Sequence, residues 1–125
     1  MGKHAIYFYR DKSGKEPVLE YLKVLLSQNG KDSRIKAAKI QDYINILSEY
    51  GTKIGEPYIK HIEGEIWELR PLRDRIFFMA WVNNSFVLLH HFMKKTQKTP
   101  SKEIEKAKRE LNDLKERGLP PRLTR

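Results

Sequence analysis

The sequence predicts an α+β domain with element order β-α-α-β-β-β-α. Apolar residues recur at helical spacing in two neighbouring stretches before residue 51 and again after residue 100. Between Glu65 and Pro100 the pattern changes to short apolar runs rich in β-branched and aromatic residues, separated by turn-forming residues. The chain has 125 residues, a length that suits one domain around one core. No internal repeat or low-complexity tract divides residues 1–125 into more than one domain.

The elements follow in order. Ala5 to Tyr9 (AIYFY) reads as a strand, and Arg10 to Gly14 as a turn. Val18, Tyr21, Leu22, Leu25 and Leu26 form one stripe on a helix that starts at Glu16 or Pro17 and ends at Gln28, before Asn29-Gly30. Asp32 or Ser33 can cap a second helix, whose stripe is Ile40, Tyr43, Ile44, Leu47 and Tyr50 and which Gly51 stops. The short link makes these two an antiparallel hairpin. Thr52 to Gly64 is a loop with a short extended piece at Tyr58 to Ile62. Strands follow at Ile66 to Leu69, Ile76 to Val82 and Phe86 to Met93; their short links predict an antiparallel meander. Thr99 and Pro100 serve as the cap and first residue of a last helix through Ile104, Ala107, Leu111 and Leu114 to Gly118. Residues 119–125 are expected to be a frayed tail. The expected architecture is a small antiparallel-rich sheet with the helical hairpin on one face and the C-terminal helix on part of the other.

Charge narrows the function. Lys plus Arg number 25 against 16 Asp plus Glu, giving a net charge of +9 and a pI of about 9.8. A small protein this basic is drawn to polyanions, nucleic acid first and an acidic protein second. The chain has no cysteine, which excludes disulfides, thiolate nucleophiles and cysteine-ligated zinc and fits a reducing cytoplasm. The N-terminus lacks the apolar segment of a signal peptide, and no run approaches a membrane helix, so a soluble cytoplasmic protein with no membrane partner is expected.

The cations concentrate at strand ends. Arg70, Arg73 and Arg75 close one strand and open the next, and guanidinium groups bind phosphate bidentately without ever deprotonating. Their bland alternative is a solvated turn with an Arg73–Asp74 or Arg75–Glu68 ion pair. Period two puts Trp67 and Leu69 under the helical hairpin and turns Glu68 and Arg70 toward an open groove. Lys94, Lys95, Thr96, Gln97 and Lys98 lead into the last helix, whose N-terminus favours an anion. His90 and His91 point to opposite faces, so at most one joins a given site; either is a candidate acid or base, though a histidine on an apolar strand is more often a satisfied core residue. His4, His61, His90 and His91 show no metal-ligand spacing, and no metal or small-molecule cofactor is expected.

The segments IWELRPLRDRIFFMAW and FVLLHHFMKKTQKTPSKEIEKAKREL, with YFYRDKSGKEPVLEYL near the start, resemble the HigB-like, phage-derived branch of the RelE/ParE toxin superfamily. The resemblance implies a RelE-like fold and the toxin of a type II toxin–antitoxin pair, neutralised by a HigA-like helix-turn-helix antitoxin. It implies cleavage of mRNA in the ribosomal A site, with the RNA 2′-hydroxyl as nucleophile and no metal. Carried over by position, Arg70, Arg73, Arg75, Lys94 and Lys95 would orient the phosphate and stabilise its charge, with Lys60 a further basic residue before the sheet; Thr96, Gln97 and Lys98, beside the N-terminus of the last helix, are expected to contact the RNA. Some relatives place a tyrosine or histidine near the start of the last helix as acid–base group. Thr96 to Lys102 holds neither, so any acid–base help would come from His91 first, or from His90 or a lysine, and the mechanism would rest mainly on stabilising the phosphate charge. The competing expectations are a ParE-like gyrase poison and a non-catalytic nucleic-acid-binding regulatory module.

Overall fold

A computed structural model describes residues 3–118 and the backbone of Arg122 and Leu123. Strand β1 (Ile6–Phe8) precedes helices α1 (Pro17–Ser27) and α2 (Lys31–Tyr50). Strands β2 (Ile59–Glu63), β3 (Ile66–Leu69), β4 (Asp74–Trp81) and β5 (Ser85–Met93) follow, then helix α3 (Ser101–Arg117) and a short strand β6 (Arg122–Leu123). They make one six-stranded sheet in the order β2-β3-β4-β5-β1-β6. Neighbours from β2 to β5 are antiparallel, whereas β1 runs parallel to β5 because the helical hairpin carries the chain across the sheet.

The expected α+β architecture is present, with four local corrections. The extended piece before the meander is a full edge strand, β2, paired to β3. Neither Asp32 nor Ser33 caps α2; Gly30 holds the N-cap position without a side-chain bond, and Ser33 bonds Gln28 instead. Pro100 takes the N-cap position of α3 with extended backbone, one residue later than the Thr99 cap predicts. Within the predicted frayed tail, Arg122 and Leu123 pair antiparallel with β1, and the rest of residues 119–125 lies outside the described residues.

The sheet separates two apolar layers. On one face Val18, Leu22 and Leu25 of α1 and Ala37, Ile40, Ile44 and Leu47 of α2 pack on Ile6, Phe8, Leu69, Ile76, Phe78 and Leu88, with Trp67 at the margin. On the other, Ala107, Leu111 and Leu114 of α3 cover Ile66, Phe77, Met79, Val87, Leu89 and Phe92. Strand β4 feeds both layers, which is why it is apolar at successive positions. Phe78 is fully buried at the centre. Phe78→Ala is expected to lower unfolding free energy by about 3–5 kcal/mol, read from the midpoint of urea denaturation.

Two backbone features shape the β4–β5 pair. The β4–β5 hairpin turns through Asn83 and Asn84, both left-handed (φ 56 and 64), a region that asparagine tolerates better than most side chains. Further along, Phe77 pairs with His90 but Phe78 pairs with Leu88, so Leu89 is a bulge residue. The bulge turns both Leu89 and His90 toward α3 and restores alternation from His91 to Met93. His90 is thereby fully buried, its Nδ1 at 2.6 Å from Glu110 and its Nε2 at 3.0 Å from Glu103. It is a hydrogen-bonded core residue that ties α3 to the sheet.

Candidate phosphate-binding cleft

The end of β3, the β3–β4 turn and the segment after β5 meet at one end of the sheet. The Arg70 amide bonds the Tyr58 carbonyl at 2.9 Å, fixing where β3 leaves the sheet. Pro71 to Asp74 then closes a turn, with Asp74 N to Pro71 O at 3.0 Å and Leu72 left-handed at φ 56. The Lys94 amide bonds the Arg73 carbonyl at 3.0 Å, which lays the two cations side by side. Arg75 braces the turn from within: its Nη1 donates to the Leu72 carbonyl at 2.8 Å and the Asp74 carbonyl at 2.9 Å.

The result is a cleft of about 410 Å³ lined by Arg70, Arg73, Arg75, Lys94, Lys95, Thr96 and Gln97. The structure thus brings together all three arginines and four of the five residues from Lys94 to Lys98. Lys60 and Lys98 are not among the lining residues. Lys60 stands opposite Glu68 in the β2–β3 register, on the exposed edge. Lys98 lies in the loop that the Thr96 hydroxyl closes by bonding its carbonyl at 2.8 Å. His91 is on the other face of the sheet. Its ring stacks on Tyr21 of α1 at 3.5 Å between centroids, and its Nε2 lies 3.8 Å from Asp74. Arg73 and Lys95 form no ion pair among the described residues and are exposed, which leaves them available to an anion.

Glu68 departs most from the sequence expectation. It does not face an open groove but is fully buried behind the cleft. Its Oε1 lies 3.5 Å from Arg70 Nε and 3.8 Å from Arg75 Nε, and neither carboxylate oxygen accepts a hydrogen bond among the described residues. Burial pushes its carboxyl above the usual range, while Arg75, Arg70, Lys94 and Lys60 pull the other way. Arg75 is lowered by its own burial, against the pull of Glu68. Lys94 is also lowered, first by desolvation and then by Arg75, Arg70 and Lys60, with Glu68 opposing. An amine below its ordinary range, in a cleft, gives up a proton more readily than a free lysine.

Asp74 works on the opposite side of the same turn. Its Oδ1 accepts the Tyr21 hydroxyl at 2.9 Å, and its Oδ2 lies 3.8 Å from Lys36 Nζ. The turn is therefore pinned to both helices of the hairpin. Burial lowers His91 from its usual 6.5, with Asp74 partly opposing. Such a histidine binds a proton more weakly folded than unfolded, so the stability it confers is complete above 6.5 and is lost as pH falls below that value. His91→Leu is expected to flatten the loss of thermal stability between neutral and mildly acidic pH, measured by calorimetry at a series of pH values.

The fold and the cleft together define a small basic α+β domain whose cations gather where strand ends meet. The family described as Phage derived protein Gp49-like (DUF891) matches residues 30–112, from the start of α2 into α3 and including every cleft residue. The chain belongs to that family, whose members are RelE/HigB-like toxins of toxin–antitoxin systems, generally RNase-like, and are paired with an antitoxin. No curated protein matches the chain. Among the described residues no helix is long and apolar enough to cross a membrane.

Proposed function

We propose that this chain is a HigB-like, ribosome-dependent mRNA endonuclease, held inactive by a HigA-like antitoxin. The observation that carries the reading is the convergence of Arg70, Arg73, Arg75, Lys94 and Lys95 on one cleft of about 410 Å³, large enough for a phosphate and its flanking ribose.

In this mechanism the RNA 2′-hydroxyl attacks the adjacent phosphorus, the bond to the 5′-oxygen breaks, and a cyclic phosphate remains on the upstream fragment. Negative charge grows on the phosphoryl oxygens along the way. Arg73 and Arg75 hold those oxygens and Lys95 adds charge, so stabilisation is greatest where the charge is greatest. Lys94 is the residue best placed to move a proton, since it combines cleft position with a lowered amine. His91 is assigned no proton transfer, because it faces α1 across the sheet. Thr96 and Gln97 contribute neutral hydrogen bonds to the RNA, and Lys60 and Lys98 extend the positive field beyond the cleft. The A site supplies the orientation of the mRNA that so open a cleft does not.

Expression without the antitoxin is expected to arrest growth and to produce cuts within translated reading frames, mapped by primer extension. Intact mRNA with induction of the DNA-damage response would instead indicate a gyrase-directed toxin. RNA binding without any cut would indicate a regulatory module.

A further inference from the structure

We infer that Glu68 is the positioning residue of this cleft: a carboxylate sealed behind it that holds the guanidinium groups of Arg70 and Arg75 as a pair presented to the substrate. This inference rests on the cleft being a phosphate site, and it concerns a residue that cannot touch the phosphate itself.

A carboxylate with no exposure is normally paired and hydrogen-bonded, because desolvation without compensation is unfavourable. Glu68 accepts no hydrogen bond among the described residues, yet two guanidinium Nε atoms lie at 3.5 and 3.8 Å from one of its oxygens. These are ion-pair distances that hold the arginines by charge without saturating their donors. Arg75 is further tied by Nη1 to the Leu72 and Asp74 carbonyls. Both arginines thus have one side fixed from behind and another lining the cleft. Without Glu68, Arg70 and Arg75 would repel each other, and the remaining ion pair of Arg70 would be with Glu56 at 3.9 Å, an exposed residue. The arrangement sacrifices stability to preset the cations, as the upward shift of the Glu68 carboxyl indicates.

The groups facing Glu68 are Lys60 of β2, Arg70 after β3, Arg75 of β4 and Lys94 after β5. All are cationic, so an ionised Glu68 is the hub they share. A carboxyl whose folded value is raised favours the folded state at low pH and loses that contribution as pH rises through the folded value. The neutral isostere is therefore expected to fold at least as well as the wild type at neutral pH, while its arginines lose their anchor.

The test uses the full chain and the Glu68→Gln and Glu68→Asp variants. Three readouts are compared: thermal unfolding, NMR signals of the arginine Nε–H groups, and single-turnover cutting of mRNA on programmed ribosomes. The expected result for Glu68→Gln is an unfolding temperature no lower than wild type, loss of the distinct Arg70 and Arg75 Nε–H signals, and a cutting rate reduced roughly 100-fold, as for a misplaced catalytic group. Glu68→Asp should recover part of both the signals and the rate. Unchanged arginine signals in Glu68→Gln would overturn the inference, as would an unchanged cutting rate. If the wild type cuts no RNA, the functional reading falls, and the NMR comparison still decides whether Glu68 positions the arginines.

Discussion

Arg75→Ala is expected to be both inactive and unstable, and the two losses are expected to come apart in a double variant. The single change removes a guanidinium that lines the cleft, braces the Pro71–Asp74 turn and faces a fully buried carboxylate. Stranding one member of a buried ion pair typically lowers stability by about 3–5 kcal/mol. Here the lower end applies, because Arg70 remains beside Glu68 at 3.5 Å. Neutralising the stranded partner in an Arg75→Ala, Glu68→Gln double variant should recover much of that loss, giving a coupling energy on the order of 1–2 kcal/mol in a double-mutant cycle. Cutting should not recover, since the double variant lacks both the cation and its anchor. Chemical denaturation and single-turnover cutting of all four proteins check the prediction. Additive stabilities would show that the Arg75–Glu68 pair has no energetic existence.

The second large effect is expected at Arg73 and Lys95, and it should be purely functional. Both are exposed and neither forms an ion pair among the described residues, so alanine at either position should leave the unfolding free energy within about 0.5 kcal/mol of wild type. In the proposed mechanism each supplies positive charge where negative charge grows. Loss of one such group commonly lowers a rate by about 100- to 1,000-fold. Removing both should be less than multiplicative if they act on the same phosphoryl oxygens. RNA binding should weaken by a smaller factor than cutting does, and the salt dependence of binding should become shallower by about one unit of slope for each phosphate no longer neutralised. A variant that bound less well but cut at the wild-type rate would place these cations on the RNA backbone away from the scissile phosphate.

The fold was legible because its local signals agree. Pro17 opens α1, Gly118 closes α3 in the left-handed conformation, and the Trp67/Leu69 face lies under the helical hairpin, as period two predicts. The gathering of Arg70, Arg73, Arg75, Lys94 and Lys95 also followed from the sequence, because short turns force adjacent strand ends together. What was not legible depends on packing between distant segments. The fate of Glu68 turns on β2 covering the edge of β3, and β2 itself is weakly marked, with Lys60, His61 and Glu63 among its five residues. The bulge at Leu89 carries no glycine or proline to announce it, so the commitment of His90 to Glu103 and Glu110 could not be read from spacing. His91 is a titratable group close in sequence to Lys94 and Lys95, but its partner Tyr21 lies far earlier in the chain and reaches it only through the crossover of α1. An alternation of Ile66, Glu68 and Arg70 on the face shared with Phe77 was the available signal for a buried carboxylate: an acid flanked by an apolar residue and two arginines is better placed to pair with them than to face solvent.

Whether the cationic cleft cuts mRNA on the ribosome is tested most directly with a purified, antitoxin-free preparation added to ribosomes programmed with a defined mRNA, the products being mapped by primer extension. A cut at the A-site codon by the wild type, with a cyclic phosphate on the upstream fragment, and a cut at least about 100-fold slower by an equally stable Arg73→Ala, Lys95→Ala variant, is the predicted result. An intact message with the wild type, or an undiminished cut with the variant, would contradict it.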